Sequence, residues 1–219
     1  MPSCRSRFTG ADFDFVVSAL SSEVRRCHLK KLWKDPDGMR EILDLKEIFR
    51  ALLDSPGALR VSPRFYFYVL VRQAFVQAGL HDVELADYVA GVLAKRVLSC
   101  NGDPLQDVTR GFTHAADFLP FISTAKGRMR FHLQVAAGNQ FLVLAGLYPD
   151  FLKRRNEKGE APGLEFYESF ASRSYQGAAA NSLAPGHSSR QILAALADAM
   201  PVARRSLNRV AEEFLFLGD

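Results

Sequence analysis

Residues Arg60–Gly79, "RVSPRFYFYVLVRQAFVQAG", carry the reading that decides the fold class. Phe65 to Val71 is an unbroken run of aromatic and aliphatic side chains, a composition that favours strands. The ends of the stretch argue the other way. Ser62-Pro63 pairs an N-cap residue with a proline suited to the first helical position, and Gly79 suits the residue just past a helix end. The stretch is also longer than an ordinary strand. The caps therefore predict a helix over 63–79, apolar on nearly every side and so enclosed by other helices.

The same logic extends along the chain. Thr9 with Asp12 and Asp14 reads as a helix start, and Phe13, Val17, Leu20, Val24 and Cys27 recur in steps of three and four as one buried stripe of a single long helix. Residues 36–57 form a second amphipathic pattern, with Ile42, Leu45, Ile48, Phe49 and Leu52 inward. Leu85, Val89, Val92 and Val97 mark a further inward face. Pro120 sits inside a helical pattern and predicts a kink or two short helices. Residues 127–147 read as a helix that starts wet and ends greasy, with Ala137, Gly138, Ala145 and Gly146 allowing neighbours to approach closely. No repeat of fixed period and no βαβ pattern stands out.

The expected architecture is therefore all-α: one domain over 1–219, a bundle of about eight to ten helices with buried centres near 63–79 and 127–147. The loop at 99–111 offers a soft subdivision. The chain's 219 residues, 48% hydrophobic and 24% charged, fit a globular protein of this size. No apolar run reaches the ~20 residues of a membrane span, and the opening residues lack the apolar core of a secretory signal. Cys4, Cys27 and Cys100 have no disulfide or metal spacing, which points to a reducing compartment, the cytoplasm, and to Cys27 and Cys100 as small core residues.

Two clusters carry chemistry. About 100° per residue puts Arg128, His132 and Asn139 on one ridge of the 127–147 helix, with Arg130 and Gln134 on the opposite side. Arg128 suits an anion, His132 a proton transfer, and Asn139 the orientation of a substrate or of the imidazole. Tyr148, Tyr167, Arg173 and Tyr175 are the candidates to complete such a ligand pocket. The plainer alternative makes Asn139 a core polar link and His132 a boundary residue. The second cluster is "RRCHLKKLWK", residues 25–34. Arg25, Arg26, Lys30, Lys31 and Lys34 suit a phosphate backbone, and Trp33 suits stacking on a base. Its alternative is a solvated helix face with Trp33 packed inward.

The net charge of +4 lies within residues 1–34, and the remainder is balanced. The "KRR" patch at 153–155 reads as a helix face offset by acids such as Glu157. No Glu-x-x-His pair or other metal-ligand spacing occurs, so neither a metal nor a cofactor is expected. Phe214 to Leu217 is a greasy ending, buried in the core or against a second subunit, which leaves a homodimer open. The function these features favour is a helical binding or interaction protein with a protein or small-molecule partner. An enzyme or ligand pocket at Arg128, His132 and Asn139, and nucleic-acid or anionic-surface binding by residues 25–34, are the alternatives.

Overall fold

The computed structural model describes residues 4–20, 23–54, 60–98, 115–184 and 186–215. It is all-α, 83% helical, with twelve α-helices and no strand among the described residues. These residues gather into two compact units that divide between Leu98 and Ser99. The loop 99–111 lies outside the described residues.

The amino-terminal unit runs α1 (Gly10–Ala19), α2 (Glu23–Lys34), α3 (Pro36–Leu43), α4 (Lys46–Leu53), α5 (Pro63–Gln77) and α6 (Val83–Leu98), preceded by a 3-10 turn at Arg5–Arg7. The aromatic stretch is α5, with the ends its caps predict. Ser62 Oγ accepts from Phe65 N, Pro63 occupies the first turn, and Gly79 takes a left-handed φ of 77°. Nine of its fifteen residues are buried, so a hairpin with α6 across the 78–82 turn forms the centre of this unit.

The helix count exceeds the expected eight to ten because two sequence segments each break in two. The stripe from Phe13 to Cys27 presumes one helix, but α1 stops at Ala19 and α2 starts at Glu23. Val16 and Leu29 are buried, Phe13, Val17 and Leu20 are half-buried, and Cys27 is exposed, contrary to its reading as a core residue. The second segment breaks at Asp44–Leu45, where Leu45 is extended as the N-cap of α4 and its side chain stays outside. Asp44 is held there by Arg72, which donates from Nε at 2.7 Å and from its terminal nitrogen at 2.8 Å. Val97 is exposed as well, since each step of four from Leu85 turns the helix by about 40°.

The carboxy-terminal unit runs α7 (Ala115–Thr124), α8 (Gly127–Leu147), α9 (Pro149–Glu157), α10 (Leu164–Ala180), α11 (His187–Asp198) and α12 (Met200–Val210), followed by a π-helical turn at Ala211–Leu215. Pro120 is accommodated within a single helix, α7, where Ser123 and Thr124 hydroxyls donate to its carbonyl. The spine is α8, with α10 antiparallel beside it. Phe141 meets Phe170 near the greasy end, and Asn181 Nδ2 donates to the carbonyl of Gly127 at the wet end. Leu207 of α12 packs on Gly146, and Asn208 Nδ2 donates to the carbonyls of Ala145 and Gly146, two of the unpaired acceptors a helix end leaves. Phe214 and Leu215 are half-buried, while Phe216 and Leu217 lie outside the described residues.

Candidate functional site

The ridge of α8 begins in solvent and ends in the core. Arg128 and His132 are exposed, and Asn139 is half-buried. Eleven residues separate Arg128 from Asn139, about 16 Å along a helix. Asn139 has a definite partner: its Oδ1 accepts from the Tyr175 hydroxyl at 2.9 Å, and Tyr175 is wholly buried. Next to it, Gly138 is required by close approach, because a Cβ there would lie 2.6 Å from Cε1 of the Tyr175 ring. Asn139 and Tyr175 thus form a polar link between α8 and α10, set within a tight aromatic contact.

The other candidates disperse. Tyr167 is buried against Phe141, ring centroids 5.6 Å apart, and burial raises its phenol above the ordinary value. Tyr148 is exposed where α8 gives way to α9. Arg173 is exposed on α10 and lines an open depression of about 400 Å3 with Glu168, Gln176 and Asp198. Of the seven pocket candidates, a hydrogen bond joins Asn139 to Tyr175.

What does gather at the start of α8 is charge. Lys126, Arg128, Arg130 and His132 are all exposed, and the first turn contains no acid. Lys126 is the N-cap residue and provides no side-chain cap, so the helix's first N–H groups lack a side-chain cap among the described residues. None of the three cations is in an ion pair among the described residues. Met129, between two of them, is 51% exposed.

Gln134 behaves unlike its placement by sequence. It is buried and lies against Gly177 of α10, where a Cβ would come 2.2 Å from its Nε2. Its Oε1 has no hydrogen-bond partner among the described residues. A polar residue on the side away from the ridge gave no signal of this; the glycine 43 positions on, which admits it, is visible only in the folded chain.

In the basic segment 25–34, Lys30, Lys31 and Lys34 are exposed, and the side chains of Arg25 and Arg26 lie outside the described residues. Trp33 is half-buried in an aromatic cluster, its ring centroid 5.9 Å from Phe8, 5.6 Å from Phe13 and 6.4 Å from Phe65. That ring is engaged in holding α2 against α1 and α5.

Three polar assemblies escaped the sequence reading. Asp12 accepts from Thr9 N and from both N and Oγ of Ser62, so one carboxylate secures the starts of α1 and α5. Asp87 accepts from the backbone N–H groups of Cys4 and Arg5 and from Arg5 Nε. Glu168 pairs with Arg204, which also donates to Asn208. Each joins residues far apart in sequence. Among the described residues no group of three or more His, Cys, Asp or Glu side chains is arranged to hold a metal ion, and no helix is long and apolar enough to cross a membrane.

No family model, curated protein or solved structure matches this chain.

Proposed function

We propose that this chain is a helical binding protein of the cytoplasm, and that the wet end of α8 is the surface it turns to an anionic partner. The observation that carries this reading is the set Lys126, Arg128 and Arg130, exposed and unpaired among the described residues at the start of a helix without an acid in its first turn. The N-terminal end of a helix dipole is positive, so cations there cost a few tenths of a kcal/mol each, roughly the amount an acid at the same place contributes. An anion bound at this end removes that cost and gains the free N–H groups as donors. Met129 adds an apolar contact, and His132 one further polar one. Asn139, about 16 Å further along the helix, belongs to the link between α8 and α10 rather than to the surface itself.

Retention on a heparin column tests the reading. The triple variant K126A/R128A/R130A is expected to elute at distinctly lower salt than the parent, since each lost phosphate- or sulfate-type contact lowers the salt dependence. Unchanged retention in that variant, with a loss in K30A/K31A/K34A, rejects the α8 surface and transfers the function to residues 25–34.

A further inference from the structure

The carboxy-terminal unit carries a second charged surface, on α9, which the reading of α8 does not use. An open depression of about 430 Å3 is lined by Phe151, Arg154, Arg155, Lys158 and Glu160. Taking Phe151 as origin, Arg155, Lys158 and Arg154 fall within an arc of about 100°, so the ring and the three cations share one side of the helix. The Arg155 guanidinium lies over the Phe151 ring, 5.7 Å from its centroid, and its Nε is 3.6 Å from Glu160 Oε2. Glu160 thereby offsets Arg155. Arg154 and Lys158 are exposed and make no ion pair among the described residues.

Cations in the last turn of a helix suit its negative end, and that alone explains an arginine or two here. It does not explain the rest. Arg154 and Lys158 stand four apart, where like charges repel by a few tenths of a kcal/mol. Phe151 is 44% exposed in the same depression, with a guanidinium set on it. An exposed ring beside two uncompensated cations matches the two ends of one kind of ligand: a planar ring to stack and a phosphate to neutralise.

We propose that this depression binds a ligand of nucleotide type, with Arg154 and Lys158 on the phosphate and Phe151, steadied by Arg155, against the planar ring. Such chemistry is offered both by free mononucleotides and by a nucleic-acid strand. Isothermal titration of the full chain with AMP, adenosine, inorganic phosphate and a ten-nucleotide oligoadenylate tests it. AMP is expected to bind at least about tenfold more tightly than adenosine or phosphate. The double variant R154A/K158A is expected to lose about tenfold or more in AMP affinity, and F151A to bring AMP down to the level of phosphate. Oligoadenylate binding tenfold better than AMP assigns the source to a strand, and equal binding assigns it to a mononucleotide; both support the site. All three substituted side chains are exposed, so circular dichroism should show unaltered folding in these variants. No heat from AMP or from the oligonucleotide at about 1 mM, or affinity unchanged in both variants, overturns the proposal. K126A/R128A/R130A should leave AMP binding as it was, which separates this site from the surface on α8.

Discussion

In residues 4–98 the ties between distant elements are made by charged groups: Asp12 and Asp87 are buried with backbone N–H groups aimed at them, and Arg72 grips Asp44 and the carbonyl of His81. In residues 115–215 much of that task falls to neutral groups and small residues. Asn139 meets Tyr175, Asn208 meets the end of α8, and Gly138 and Gly146 let an aromatic ring and a leucine approach the helix backbone. The difference teaches where charge is available. A buried carboxylate that accepts three hydrogen bonds is costly to disturb and is not on offer to a ligand. In the carboxy-terminal unit the core is joined largely without ions, and Lys126, Arg128 and Arg130 at the start of α8 and Arg154 and Lys158 of α9 are exposed to solvent.

The contrast can be broken by experiment, most strongly at Asp87. Asp87→Ala leaves the backbone N–H groups of Cys4 and Arg5 without their acceptor and Arg5 with Glu84 as its remaining partner, and removing one member of a buried pair costs about 3 kcal/mol or more. Trp33, the single tryptophan, lies in the amino-terminal unit, so the loss should appear as a lower urea midpoint in its fluorescence. A midpoint unchanged by this substitution would mean the charged ties are incidental.

Gly138→Val probes the other unit. The added side chain meets a fully buried ring, and overpacking of this kind costs about 2 kcal/mol. The circular-dichroism transition should shift while the fluorescence of Trp33 holds its midpoint. A shift of both together would show that the two units unfold as one.

The smallest effect concerns alkaline pH. Burial pushes the Cys4 thiol from 9.0 up to about 12, and burial likewise raises Tyr68, its hydroxyl without a partner among the described residues. Both groups hold their protons more firmly in the folded chain. Their contribution is complete below the unfolded value and is lost as pH rises toward the folded one. From Cys4 alone the amino-terminal unit should lose about 1 kcal/mol between pH 8 and pH 10, at 1.4 kcal/mol per unit of displaced titration. The check is the Trp33 urea midpoint across that range, with Cys4→Ala expected to flatten its dependence.

How much of this was legible depended on distance along the chain. The ends of α5 could be read because Ser62, Pro63 and Gly79 act on backbone groups within a turn of themselves. The break at Asp44 could not, because what turns the chain there is Arg72, 28 residues further on. The stripe through Cys27 failed for a similar reason: periodicity locates a face only while the helix is unbroken. Arg128, His132 and Asn139 lie along one helix, yet that helix crosses from solvent to core. Arg128 and Asn139 therefore share an azimuth but not an environment.

The sequence by itself determined that this chain is helical and where its centre lies, because caps and periodicity are local properties. Only the tertiary structure decided what each polar side chain is for. Asn139 became a link between helices through a tyrosine 36 residues away, and Asp87 became an anchor for the backbone of Cys4, 83 residues before it. A hydrogen bond depends on a few ångströms in space, and separation in sequence carries almost no information about that.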